Sequence, residues 1–213
     1  MHIPDGYLDL WLCGIFYLLT LIVLSYSGYK ARENLDEKKV PLIGVVAAAI
    51  FAAQMLNWPI PGGTSAHFVG GALAAILLGP YVGVLSMASV VTVQALMFGD
   101  GGILALGANI WNMALIDVFV GYLIFRLFKN KNKSIAAFLA GWIAITAASL
   151  FVGIQTGLST IFKFQLQTTL LIMVIGHGVL GIIEGAITAS AYRYLIDVRP
   201  DFFEKSNKKE VEA

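Results

Sequence analysis

The sequence predicts an all-α integral membrane protein with seven transmembrane helices, its N-terminus outside and its C-terminus cytoplasmic. Three observations carry that prediction. Hydrophobic residues form 58% of the 213-residue chain and charged residues only 13%, and the mean hydropathy is +0.80, outside the soluble range. Apolar stretches approaching the ~20 residues that cross a bilayer recur along the chain. The basic residues gather at alternate connections, as the positive-inside rule requires.

On the length criterion the spans fall at 10–29, 40–57, 67–79, 81–98, 103–128, 134–154 and 168–196. The third is short and stops at Gly79-Pro80, where a six-span reading would fuse or bury it. Residues 1–198 read as one polytopic membrane domain opening with a segment, 1–9, that precedes the first span; residues 199–213 read as a charged cytoplasmic tail. Lys30, Arg32, Lys38 and Lys39 flank the first connection, and Arg126, Lys129, Lys131 and Lys133 flank the fifth span. Arg193, Arg199, Lys205, Lys208 and Lys209 follow the last. With seven spans all of these share one side and only Lys163 lies opposite; six spans would break that agreement.

Composition also excludes functions. The net charge of +1 gives no field for nucleic acid. The single cysteine, Cys13, rules out an intramolecular disulfide and a thiolate cluster. No P-loop, zinc-protease helix or nucleophile elbow is present, and no organic cofactor is expected. No basic region precedes the first apolar stretch, which argues against a cleaved secretory signal. His2 is too large a second residue for ordinary removal of an initiator methionine, so Met1 is expected to persist.

The chain opens Met1-His2-Ile3-Pro4-Asp5-Gly6. The Met1 amine, the His2 backbone nitrogen and His2 Nδ1 can close five- and six-membered chelate rings on one ion. Such a planar clamp suits Ni(II) or Cu(II); the competing reading is a frayed terminus. His67 follows Asn57-Trp58-Pro59-Ile60-Pro61-Gly62-Gly63-Thr64-Ser65-Ala66, a stretch that cannot continue a helix. With Thr64 or Ser65 as N-cap, His67 is expected in the first turn of the third span, at the outer rim. There it would complete a four-nitrogen plane, or serve as an ordinary loop histidine.

His177, Gly181, Glu184 and Thr188 form a helical stripe in the last span, with His177 and Glu184 ~10.5 Å apart. An intramembrane carboxylate is costly and faces the bundle interior. His177 and Glu184 therefore read as packing anchors or as supports of the ligands, at a depth different from His67. Gln94, Asn109, Asn112 and Asp117 are polar groups in apolar segments. They either orient a ligand imidazole or, as the default, bridge helices. Gly44, Ala48 and Ala52 make a small-residue stripe on the second span, for packing within the chain or docking a separate membrane subunit.

Met1-His2-Ile3-Pro4-Asp5-Gly6-Tyr7, Ser65-Ala66-His67, Gly99-Asp100-Gly101-Gly102, Leu106-Gly107-Ala108-Asn109 with Asn112-Met113, and Gly176-His177 with Gly181, Glu184-Gly185 and Thr188 together resemble the CbiM/NikM family. These are the substrate-specific membrane components of energy-coupling-factor (ECF) transporters for cobalt and nickel. The resemblance spans essentially the whole chain. It implies a six-helix substrate-component core preceded by one extra helix, in the multi-pass setting of a prokaryotic cell membrane, and no enzymatic activity. It implies metal ligation by the Met1 amine, the His2 backbone and side-chain nitrogens and the His67 imidazole. It also implies a transmembrane coupling subunit, two ATP-binding-cassette ATPases and a small accessory membrane subunit, with the Gly44/Ala48/Ala52 stripe as a docking face. Within the resemblance, the Pro4-Asp5-Gly6-Tyr7 variant implies Ni2+ as the transported ion, with Co2+ second. A stand-alone cation channel or permease, and an intramembrane metalloenzyme built on His67, His177 and Glu184, are the competing functions.

Overall fold

The computed structural model describes residues 1–34 and 40–199. The charged tail beyond Arg199 lies outside the described residues, as do Lys38 and Lys39. Among the described residues there are seven helices: α1 (Leu10–Asn34), α2 (Val40–Gln54), α3 (Gly71–Leu78), α4 (Pro80–Phe98), α5 (Leu106–Phe128), α6 (Lys133–Leu158) and α7 (Leu166–Val198). Five of them, α1 and α4 to α7, are long and apolar enough to cross a membrane. Helix α2 has 15 residues. Helix α3 has only 8, ~12 Å of rise, so the span expected over 67–79 is a half-crossing.

The chain before α3 explains the shortfall. Its prolines and glycines form a small hairpin in which β1 (Trp58–Pro59) pairs antiparallel with β2 (Ser65–Ala66). Ile60 N–H donates to the Thr64 carbonyl at 3.0 Å. The returning leg then sinks into the bundle, where His67 and Val69 are fully buried. Gly70, at φ 81°, makes the left-handed turn into α3 and offers no side-chain cap.

Buried main-chain donors must find partners, and carboxylates from other helices supply them. Glu184 of α7 accepts the Val69 and Gly70 N–H groups at 2.9 and 2.8 Å. Asp117 of α5 accepts the Ala72 N–H at 2.9 Å. Two carboxylates thus replace the cap expected from Thr64 or Ser65, at the helix end where negative charge is favoured. His67 is accordingly not in a helical first turn at the outer rim; it lies in extended chain inside the bundle.

Small residues let the long helices close. Ala137, Ala140, Ala144 and Ala148 of α6 are fully buried, as close helix packing in a membrane demands. Trp142 Nε1 reaches across to the Gly178 carbonyl of α7 at 2.8 Å. Asn112 of α5 and Gln155 of α6 exchange amide hydrogen bonds at 2.7 and 3.0 Å. Outward, Leu171, Ile175, Val179, Ile182 and Ile183 of α7 are exposed, a surface matched to lipid. The last turn of α4 (Gln94–Phe98) and a stretch of α5 (Trp111–Ile116) are wound as wider π turns, a form that recurs at functional sites.

Candidate metal site

Residues 1–9 are not frayed. Met1 and Ile3 are fully buried and His2 nearly so. Ile3 is gripped by Asn109, which accepts its N–H at 2.8 Å and donates to its carbonyl at 3.0 Å. Gly102 N–H also donates to the Ile3 carbonyl, at 2.9 Å. Asp5 accepts the Ile103, Leu104 and Ala105 N–H groups. A Cβ on Gly102 would stand 2.1 Å from Asp5 Oδ1, so this approach needs glycine. Farther along, Asp9 accepts from Thr160 N–H at 2.8 Å and from the Thr160 hydroxyl at 2.9 Å, while its own N–H donates to Ser159 Oγ at 3.0 Å.

This strap brings three of the expected nitrogens to the buried hairpin leg. The Met1 amine donates to the Ser65 carbonyl and to Ser65 Oγ. The His2 and His67 rings stack with centroids 4.6 Å apart and planes 23° apart. His67 Nδ1 lies 2.7 Å from the Phe68 carbonyl, which requires a proton on Nδ1 and leaves Nε2 with its lone pair. His2 Nε2 lies 3.1 Å from Gln94 Oε1, which likewise leaves Nδ1 with its lone pair. Both remaining nitrogens, His2 Nδ1 and His67 Nε2, are buried without a hydrogen-bond partner. Leaving such groups unpaired costs about 1–3 kcal/mol each.

Electrostatics keep these nitrogens available. Burial, together with the neighbouring Met1 ammonium, pushes His2 from 6.5 down to about 3, against a smaller opposing effect of Gln94. Burial also holds the Met1 amine well below its ordinary 8.0, although Asp100 and Glu184 pull the other way. Asp100 Oδ1 stands 3.3 Å from His2 Nδ1, yet a neutral imidazole makes this a contact and not an ion pair. Burial raises the Asp100 carboxyl. A cavity of ≈ 710 Å³, lined by His2, Asn57, Thr64, Ser65 and Asp100 among others, opens beside these groups. Among the described residues, no group of three or more His, Cys, Asp or Glu side chains is arranged to hold a metal.

The other predicted residues divide. His177 is closer than its expected depth: its Nε2 lies 3.2 Å from the Ser65 carbonyl and its Nδ1 2.9 Å from the Met173 carbonyl. The sunken hairpin leg is the reason, since it carries Ser65 down to α7. Gln94 touches His2 directly, and Asn109 holds its neighbour Ile3. Glu184 braces the loop carrying His67. Asn112 pairs with Gln155 and touches none of the nitrogens. Gly44, Ala48 and Ala52 lie on the exposed face of α2.

Sequence reasoning missed Ser65, which receives the amine, as well as Gln155 and the separate importance of Asp100. The Asn112–Gln155 pair had a signal in the two amides on adjacent apolar spans. Ser65 acts partly through its carbonyl, which no side-chain pattern reveals.

Comparison with known proteins identifies the family. The family described as "Cobalt uptake substrate-specific transmembrane region", CbiM, matches residues 2–202. The chain is 60% identical over 205 residues to an Archaeoglobus fulgidus protein named for nickel transport, a fused NikMN chain, covering 96% of this chain and 68% of that one. It is 33% identical to the cobalt transport protein CbiM of Sorangium cellulosum, covering 96% and 95% of the two chains. A crystal structure of a transition metal transporter superposes with a TM-score of 0.90 at 39% identity, covering 93% of each chain. These relatives are named for metal transport, and the family is described as a transmembrane region. A buried amine, two stacked imidazoles with open lone pairs and a match along nearly the whole chain lead to one conclusion: the protein belongs to the CbiM family of substrate-specific membrane components for metal uptake.

Proposed function

We propose that the chain is the substrate-binding membrane component of an ECF-type importer for Ni2+, with Co2+ as the second substrate. The ion is held in a square plane by the Met1 amine, the His2 main-chain nitrogen, His2 Nδ1 and His67 Nε2. One observation carries this reading: the two imidazole nitrogens left without partners in the buried site are those a chelate starting at the Met1 amine would use. An ion accepting both lone pairs removes their penalty, and planar nitrogen donors favour nickel.

The surrounding groups have defined tasks in this scheme. Gln94 fixes the His2 tautomer and the Phe68 carbonyl fixes that of His67, as outer partners do at metal sites. Asn109, Asp5 and Asp9 hold the strap that carries the ligands. Uptake depends on partners: a transmembrane coupling subunit, two ATP-binding-cassette ATPases and a small accessory membrane subunit. The exposed Gly44/Ala48/Ala52 face of α2 is the docking surface for the coupling subunit.

The test is a one-residue extension before Met1. The extended protein is expected to keep its helical fold by circular dichroism and to lose the low-spin Ni(II) absorbance. Nickel bound with the same stoichiometry and spectrum after extension would sink the amine-ligand reading.

A further inference from the structure

We propose that Asp100 is the receiving ligand of this protein: its carboxylate captures the aquated divalent cation in the cavity before the four nitrogens take it. The inference rests on the metal-binding reading above and adds a second, weaker oxygen site in front of it.

The three acidic residues clustered around the N-terminal strap differ in what their oxygens already do. Asp5 is committed to three main-chain N–H groups of residues 103–105. Asp9 is committed to Thr160. Among the described residues Asp100 accepts hydrogen bonds only from Asn57 Nδ2, and these are long, at 3.3 and 3.5 Å, so its lone pairs are largely open. It lines the ≈ 710 Å³ cavity together with His2, Asn57, Thr64 and Ser65.

The second observation lies on its inner side. Asp100 Oδ1 stands 3.3 Å from His2 Nδ1, a buried nitrogen with no hydrogen-bond partner. A carboxylate oxygen and an imidazole lone pair at that separation repel unless a cation lies against both. Donors bound side by side to one metal at ~2.0–2.2 Å are themselves about 3 Å apart, so one ion can touch Asp100 and His2 together during transfer. Oxygen suits a cation still carrying its waters, and nitrogen suits the dehydrated one. A negative group at the floor of a low-dielectric cleft also raises the local cation concentration.

The test is stopped-flow nickel binding to the purified full chain, following the planar absorbance. In Asp100→Asn, which keeps the shape and the contact with Asn57, the association rate is expected to fall about tenfold and to lose most of its ionic-strength dependence. The final spectrum and the dissociation rate should stay within about twofold of wild type, and Asp100→Glu should recover part of the association rate. An unchanged association rate, or a loss carried by faster dissociation, overturns the proposal.

A second arm is independent of the nitrogen plane. In His67→Ala, Mn2+, which prefers oxygen donors, should still broaden the NMR signals of Asn57 and Gly101. That broadening should vanish in the His67→Ala/Asp100→Asn double variant. No broadening in the first, or persistence in the second, overturns the capture role. A wild-type protein lacking the planar nickel absorbance would sink the four-nitrogen reading alone, because the Mn2+ arm reports on Asp100 without it.

Discussion

The hairpin leg leading into α3 has two ends that treat buried polarity in opposite ways. At its lower end, the Val69 and Gly70 N–H groups meet both oxygens of Glu184, and the Ala72 N–H meets Asp117. At its upper end the His67 and His2 rings stack, and among the described residues neither His67 Nε2 nor His2 Nδ1 has a hydrogen-bond partner. The same few residues of chain thus join a saturated anchor to an unsaturated pocket. Paired groups hold shape, whereas open lone pairs wait for a ligand.

Removing a ligand from the open end should have the largest effect. His67→Ala is expected to weaken nickel binding by more than about 100-fold, beyond the range of outer-partner losses, with the melting temperature little changed. Calorimetric titration that finds wild-type affinity would erase the contrast between the two ends. Gln94→Leu comes next, because it frees the His2 tautomer without touching the plane. A loss of roughly 10–100-fold is expected, accompanied by a shifted nickel spectrum; an unshifted spectrum at full affinity would assign Gln94 to packing.

The paired class should behave in reverse. Asn112→Ala leaves Gln155 buried without its partner and should cost about 1–2 kcal/mol of stability. Once folded, that variant should bind nickel as wild type does. An affinity loss matching that of Gln94→Leu would show that the two classes are not separable.

The smallest effect concerns pH. His2 resists protonation, with its pKa at about 3 against an ordinary 6.5, so the released strap takes up a proton that the docked strap refuses. The buried Met1 amine, held well below its ordinary 8.0, acts in the same sense, so docking is fully favoured only above about pH 8 and weakens as pH falls toward 3. The raised carboxyl of Asp100 acts in the opposite sense. Amide exchange at Ile3 should lose protection on acidification; protection that stays flat between pH 7 and 4 would contradict this linkage.

Much of the frame was legible because hydropathy, length and basic residues report directly on bilayer crossing. That Met1, His2 and His67 belong to one site was legible because few residue types can supply adjacent nitrogens, and the structure brings them together. The course of residues 55–70 was not. Prolines and glycines announced a break, but they do not say how deep a broken segment runs. That depth depends on Glu184 and Asp117, which are more than forty residues away in sequence and become caps only in the packed bundle. His177 was misplaced for the same reason, since its partner is a carbonyl on that segment.

That carbonyl has a mechanical consequence. Ser65 O accepts from the Met1 amine and lies 3.2 Å from His177 Nε2. On the proposed ligation the amine gives its lone pair to the ion and keeps two N–H bonds, enough for both Ser65 oxygens. His177 is built into a continuous helix of 33 residues, a rod ~50 Å long whose far end carries Arg193 and Asp197. Ser65 therefore ties the seat of the amine to a rod long enough to cross a membrane.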